Sequence, residues 1–313
     1  MLAAHAPLFI VLNKASGHGD ASEVEQSIRR SLDDAGRTFR ILRVDDPSQL
    51  GELADQAVAL AREQDGAVIV VGGDGTINAV TQAVLPGQVP FGVLPQGTFN
   101  FFGRTHGLPQ GDAGKGVREL LEADEQPAQA GLVNGRAFLV NASLGLYPSL
   151  LEQREGAKQQ FGRHRLVALG SGLRTLLQRF PRLRLRMRGD APAGELSAMT
   201  LVVGNNRLQL EKIGIEQASA VERGRLVGIA VRPVGRLSLV WMAIRGLLGH
   251  LGDFDRVDSF AFEELTVDLP RRRRIKVALD GEICSLDLPL RFSVAPQSLR
   301  LLVPRNAEPE QAA

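Results

Sequence analysis

Cysteine, tyrosine and tryptophan each occur once in the 313 residues, as Cys284, Tyr147 and Trp241. A single cysteine excludes a disulfide framework and any zinc site built from several cysteines, and it fits a reducing compartment. One Tyr and one Trp leave little surface for stacking bases, which argues against a nucleic-acid partner. Lysine is also scarce, with five (14, 115, 158, 212 and 276) among 37 basic residues. No apolar run approaches the ~18 residues of a spanning helix; Leu237–Ile244 is closed off by Arg236 and Arg245. Met1–Pro7 carry no basic region ahead of the apolar Leu8–Leu12, so no secretory leader is expected. The five histidines (5, 18, 106, 164, 250) show no metal-ligand spacing and read as structural or exposed. A cytoplasmic protein, at most peripheral at the inner face of the membrane, is the expectation.

What is present is core material: 44% hydrophobic residues, 23% charged and a mean hydropathy of −0.03. The net charge of +2 hides a division. Residues 1–130 hold 10 Lys/Arg against 17 Asp/Glu, a balance of −7, and residues 131–313 hold 27 against 18, a balance of +9. An acidic half joined to an Arg-rich half suggests two domains, the second facing an anionic partner.

In the first half apolar strands alternate with amphipathic helices. Strands are expected at Leu8–Leu12, Phe39–Val44, Ala67–Val71 and Pro90–Leu94. Helices are expected at Ala21–Ala35, Leu50–Arg62 and Ile77–Val84. Such alternation indicates a doubly wound parallel α/β sheet, which binds ligands at the carboxyl ends of its strands. Short β-like runs follow: Gly131–Val133, Ala137–Asn141, Leu183–Met187, Met199–Val203, Leu226–Val231, Glu264–Val267, Ile275–Leu279 and Leu299–Val303. Two helical stretches interrupt them, near Leu166–Phe180 and Leu237–Leu248. The expected organisation is an α/β domain over 1–130, then a β-rich, sandwich-like domain with inserted helices over 131–305, its last strand able to pack back on the first domain. Pro127 and the polar run Glu122–Gln129 mark the boundary, and residues 306–313 read as a frayed tail.

The segment Ala67–Asn78 reads AVIVVGGDGTIN. Glycines directly after a buried strand let the backbone approach an anion, and the following helix start presents N–H groups. Asp74 would repel phosphates unless Mg²⁺ lies between them or the carboxylate orients an attacking hydroxyl. The plainer alternative is a glycine-rich turn with Asp74 as a helix N-cap. No Gly-Lys-Ser/Thr follows and no G-x-G-x-x-G occurs here, which removes P-loop NTPases and Rossmann dehydrogenases.

GGDGT after a strand resembles the diacylglycerol-kinase catalytic fold shared by lipid kinases and NAD kinases. The next loop, Gly92–Arg104 (GVLPQGTFNFFGR), resembles the lipid-kinase pattern in Pro95, Gly97, Thr98, Asn100, Phe102, Gly103 and Arg104, and it lacks the NAD-kinase segment. Asn13, Ser16 and Gly17 match a first N-x-x-S-G loop, and Asp280-Gly281-Glu282 is similar to the family's D-G-E element. Four motifs in order, from Leu8 to Val303, resemble the bacterial diacylglycerol kinase, YegS-like group of lipid kinases.

The resemblance implies an ATP- and Mg²⁺-dependent kinase acting on a lipid with a free hydroxyl, such as diacylglycerol, with the site in the cleft between the domains. Asn13, Ser16, Gly17, Gly72, Gly73, Asp74, Gly75, Thr76, Asn78, Gly97, Thr98 and Asn100 would hold ATP. Asp74 would act near the Mg-nucleotide, and Asp280 or Glu282 would accept the hydroxyl proton. Such chemistry needs positioning and charge neutralisation but no covalent residue. Taken alone, Asp280-Gly281 also reads as a hairpin turn. An NAD-kinase-like enzyme and a nucleotide-binding regulator without catalysis are the alternatives, and a homodimer stays open. Ala79 and Phe101 stand where relatives often carry Glu and a polar residue. Arg223 stands where the family has an acid for a structural Mg²⁺, with Glu222 beside it.

Arg154–Arg188 holds ten Lys/Arg and one acid, Glu155. Within it Arg182, Arg184, Arg186 and Arg188 alternate with apolar residues, as on a strand with one basic face. That face suits transient adsorption to an anionic membrane surface, or is a merely solvated face.

Overall fold

The computed structural model describes residues 3, 5–13, 21–97, 100–146, 148, 182–190, 194–235 and 256–310. Both helices expected near 166–180 and 237–248 lie outside the described residues. The chain forms two compact units, Met1–Ala130 with Ala295–Gln311, and Gly131–Val294.

In the first unit β1 (Leu8–Asn13), α1 (Ala21–Asp34), β2 (Phe39–Val44), α2 (Leu50–Glu63), β3 (Ala67–Gly72), α3 (Asp74–Gly87) and β4 (Pro90–Pro95) follow in order. Then come α4 (Phe101–Thr105), α5 (Ala113–Leu121) and β5 (Asp124–Ala128), with a strand from the chain's far end, Leu299–Val303, completing the sheet. The order is β2-β1-β3-β4, then Leu299–Val303, then β5. All neighbours are parallel except the last pair. β3 is buried along its whole length because both faces are covered. α1 and α5 pack together on one face, where Ile28, Leu32, Val117 and Leu120 meet Leu8, Ile10, Ile69 and Val71, and α2 packs against α3. The strand order reverses between β1 and β3, the switch point at which such sheets open a crevice.

The polar run that ends the contiguous part of the first unit forms a strand: β5 sits at the sheet edge, where Pro127, opposite Arg300, needs no N–H on its outer side. One expectation needs correction: the end of the chain is not frayed throughout. The Glu310 amide donates to the Arg104 carbonyl at 2.9 Å, and Arg104 holds the Glu310 carboxylate bidentately, Nη2 to Oε1 at 2.6 Å. The two residues lie 206 positions apart, beyond the reach of any local sequence pattern.

The second unit contains β6 (Gly131–Val133), β7 (Arg136–Phe138), β8 (Asn141–Gly145), β9 (Leu183–Gly189), β10 (Gly194–Ala198) and β11 (Thr200–Gly204). It continues with α6 (Arg207–Lys212), a 3₁₀ stretch Glu216–Arg223, β12 (Leu226–Val231), β13 (Val257–Phe262) and β14 (Glu264–Asp268). β15 (Arg274–Leu279), β16 (Glu282–Asp287) and β17 (Leu290–Val294) complete it, leaving Leu299–Val303 as β18. One sheet runs β10-β9-β14-β17-β6-β7 and the other β13-β12-β11-β8-β15-β16. Leu185, Val267 and Phe292 of the first meet Leu144, Leu201 and Val277 of the second in one buried core, so the unit is a β-sandwich. The single strand expected at Ala137–Asn141 is split, because the amides of Leu139 and Val140 bond a distant carboxylate instead of a ladder partner.

Candidate active site: a phosphate-type loop and a carboxylate anchor

The first unit's site is built where β1, β3 and β4 end. α3 starts at Asp74 behind Gly73, whose backbone is extended at φ −81°, ψ 177°. Gly73 is therefore the N-cap, and Asp74, which could have been read as the cap, is the first helical residue. The first intrahelical bond is Ile77 N–H to the Gly73 carbonyl at 3.0 Å, so the amides of Asp74, Gly75 and Thr76 have no helical carbonyl to reach. With the helix dipole, they form a surface suited to an anion.

Two hydrogen bonds hold this turn. Asn13 at the end of β1 donates from Nδ2 to Thr76 Oγ1 at 2.7 Å, tying two strand ends across the switch point. The Gln96 amide donates to the Gly72 carbonyl at 2.8 Å, fastening the loop after β4 to the loop after β3. The backbones approach closely: a Cβ on Gly72 would lie 2.7 Å from Thr76 Cβ, and one on Gly97 would lie 2.8 Å from Asn100 Oδ1 and 3.3 Å from Gly73 Cα. Neither position accepts a side chain without movement of the turn.

Asp74 faces this junction. Its Oδ2 accepts from the Asn100 amide at 3.4 Å. Burial pushes its pKa up, opposed by the Asn100 and Asp74 backbone amides. Asn100, 7% exposed, sits in the left-handed region at φ 46° and caps α4. Its Nδ2 donates to Gln110 Oε1 at 3.0 Å, while its Oδ1 is buried without a hydrogen-bond partner among the described residues. An orphaned oxygen beside a desolvated carboxylate is a hard-donor pair of the kind Mg²⁺ takes. The residues fit the cation. Asn78, one turn along α3, is buried and engaged by Gln82, whose Nε2 donates to Asn78 Oδ1 at 3.0 Å. Ser16, Gly17 and Thr98 lie outside the described residues.

In the second unit Asp280 and Gly281 form the two-residue turn between β15 and β16, at φ 48° and φ 93°. Both positive values mark the primed turn that Asp-Gly favours. The carboxylate has a second task. Asp280 Oδ1 accepts from the Val140 amide at 2.8 Å and the Asn141 amide at 2.9 Å, and Oδ2 accepts from the Leu139 amide at 2.8 Å. Its own amide returns a bond to the Asn141 carbonyl at 2.9 Å. Buried Asn205 secures the same stretch, its Nδ2 donating to the Leu139 carbonyl at 3.1 Å and its amide to the Val140 carbonyl at 2.8 Å. Asn205 was missed in the sequence; the Gly204-Asn205-Asn206 run after a strand was the available signal. Because Gly281 turns and is not extended, Asp280 and Glu282 do not continue one strand face. Asp280 is bound to backbone, and Glu282 is exposed at the start of β16.

The residues around Arg223 do not fit a structural cation. Arg207 pairs with Glu222, and its Nε lies 2.5 Å from Glu211 Oε1. A guanidinium already supplies the charge that Glu222 faces, and Arg223 donates to Ser219 Oγ at 3.2 Å.

Residues 7–133 match the diacylglycerol kinase catalytic domain. Over these residues the chain resembles the diacylglycerol-kinase-like lipid kinases. A Staphylococcus haemolyticus protein bearing the provisional name lipid kinase is 29% identical over 77% of this chain and 78% of its own length. One from Staphylococcus epidermidis, named likewise, is 27% identical over 75% of this chain and 76% of its own. The fold is that of a Bacillus anthracis protein provisionally called a diacylglycerol kinase, with a TM-score of 0.72, covering 97% of this chain and 99% of that one at 20% identity. The mixed α/β first unit and the β-rich second unit are the fold shared with that structure. No helix among the described residues is long and apolar enough to cross a membrane.

Proposed function

We propose that this protein is a lipid kinase that transfers the γ-phosphoryl group of ATP to a free hydroxyl of a membrane-derived lipid such as diacylglycerol. The observation that carries the reading is the half-buried Asp74 carboxylate at the start of α3, beside the orphaned Asn100 oxygen and the Asn13–Thr76 bond. The amides of the α3 first turn hold phosphate oxygens, and Gly72 and Gly97 keep the backbone close enough for that contact. Asp74 and Asn100 would hold Mg²⁺, which would supply neutralisation of phosphate charge. Ser16, Gly17 and Thr98 belong to the same nucleotide site by their motifs.

On the acceptor side the proton goes to Glu282. Asp280 accepts three backbone N–H bonds, which leaves it poorly placed to take a substrate proton. Glu282 is exposed, and Asp280 fixes the turn that presents it.

Transfer from γ-labelled ATP to a panel of diacylglycerol, ceramide, a sphingoid base and phosphatidylglycerol in mixed micelles, and in parallel to NAD, tests this reading. A labelled lipid that disappears in Glu282→Gln supports it. Labelled NAD with no labelled lipid would replace the acceptor class, and nucleotide binding without any transfer would favour a regulator.

A further inference from the structure

The face of the β10-β9-β14 sheet turned away from the sandwich core carries a groove of about 510 Å³ whose walls are arginines. β9 alternates as its sequence predicts. Leu183, Leu185 and Met187 enter the core, while Arg182, Arg184 and Arg186 stand exposed. β14 runs antiparallel beside β9 with Asp268 opposite Arg186, so the chain leaving β14 brings Arg271 and Arg272 alongside Arg184 and Arg182. Two basic runs almost ninety positions apart in sequence therefore line one concavity.

The lining contains five arginines and one acid, Glu195. Glu195 is taken by Arg186, Nε to Oε1 at 2.8 Å, and Asp268 also neighbours Arg186 across the strand pair. Arg182, Arg184, Arg271 and Arg272 have no carboxylate partner among the described residues. Like charges gathered in one groove repel unless an anion enters it. Arg271 is, besides, held in the left-handed region at φ 70°, an unfavourable backbone for a non-glycine residue.

We propose that this groove seats the phosphate headgroup of an anionic phospholipid in a bilayer. Guanidinium forks match phosphate oxygens bidentately, and the volume suits a headgroup. Leu183 and Leu269 form an apolar floor with Pro270 beside them, and no aromatic side chain lines the groove to stack a base. The seat lies on the opposite sheet of the sandwich from Glu282. It would hold the enzyme at the surface from which its substrate is drawn, and only that choice of a lipid source rests on the lipid-kinase reading.

The test is co-sedimentation of the full chain with vesicles of phosphatidylcholine alone or mixed equally with phosphatidylglycerol, without nucleotide. Wild type should bind the mixed vesicles and hardly the neutral ones. The triple variant Arg184→Gln, Arg271→Gln, Arg272→Gln should bind them about a hundredfold more weakly, from the contribution of each basic residue near an anionic surface. A control with equal charge loss in the first unit, Arg30→Gln, Arg40→Gln, Arg62→Gln, should lose no more than a few-fold. Turnover of a short-chain lipid in micelles should be unchanged in both. Equal binding by wild type to both vesicles, or equal losses in groove and control variants, overturns the proposal. So does displacement by millimolar glycerol phosphate, which would make the ligand a soluble phosphate, or groove-dependent binding of single-stranded RNA in place of vesicles. Absence of any labelled lipid in the micelle assay would sink the kinase reading alone, leaving the vesicle result to stand.

Discussion

Replacing Asp280 by Asn separates anchoring from catalysis within one three-residue element. The side chains are nearly isosteric, and Asn tolerates the left-handed backbone at φ 48°, so the turn itself survives. What changes is the set of acceptors. Asp280 takes three amide bonds, two on Oδ1 and one on Oδ2. Asn keeps one oxygen for Val140 and Asn141 but turns an NH₂ toward the Leu139 amide, leaving that donor unpaired. Hydrogen bonds to a charged group are worth about 1.5–3 kcal/mol, and an orphaned amide costs about 1–3 kcal/mol. One lost bond and weakening of the other two give about 2–4 kcal/mol. For a unit of this size that is a fall of roughly 5–12 °C in melting temperature. Glu282→Gln, exposed and two residues on, should stay within about 0.5 kcal/mol of wild type. It should nevertheless lose about 10²–10⁴ in kcat, as expected when a general base is removed. Differential scanning calorimetry and initial rates on the two variants give both readouts. Native stability with abolished turnover in Asp280→Asn, and unchanged turnover in Glu282→Gln, would refute the division of roles and make Asp280 the base.

Other outcomes follow from the first unit. Asp74→Asn should reduce turnover by at least about a hundredfold while the melting temperature moves little, since a carboxylate that burial already disfavours adds little to folding; rates within a few-fold of wild type would remove Asp74 from the site. Gly97→Val should abolish Mg-ATP binding in calorimetry, because its Cβ would already sit 2.8 Å from Asn100 Oδ1; wild-type affinity would return the loop to a structural turn. Burial holds His106, whose ring lies tilted at 59° against Phe102 with centroids 4.8 Å apart, down to a pKa of about 4. The unfolded histidine, near 6.5, binds the extra proton, so this contribution is full above that pH and lost as pH falls toward 4. Urea unfolding at pH 7 and pH 4.5 should show about 2 kcal/mol more loss in wild type than in His106→Phe; equal losses would place the sensitivity elsewhere.

Local pattern was enough for much of the first unit. Apolar runs such as Ala67–Val71 have one low-energy fate when flanked by amphipathic helices, a strand buried on both faces. GGDGT could be read as a phosphate-type turn because a chain reversal at close quarters demands glycine at that point. The second unit was harder, since short strands such as β10 and β16 carry little periodicity and are held by cross-strand partners. Asp-Gly-Glu permits both a hairpin and a carboxylate pair. What the sequence could not show is that three amides some 140 positions away bond Asp280, a contact only the tertiary structure creates. The same holds for the arginine groove. Alternation along β9 foretold a basic strand face, but its closing wall comes from Arg271 and Arg272, brought there by the antiparallel pairing of β9 with β14. Strand propensity is written in neighbouring residues; which distant strand lies alongside is set by burial of the shared core, which no local pattern encodes.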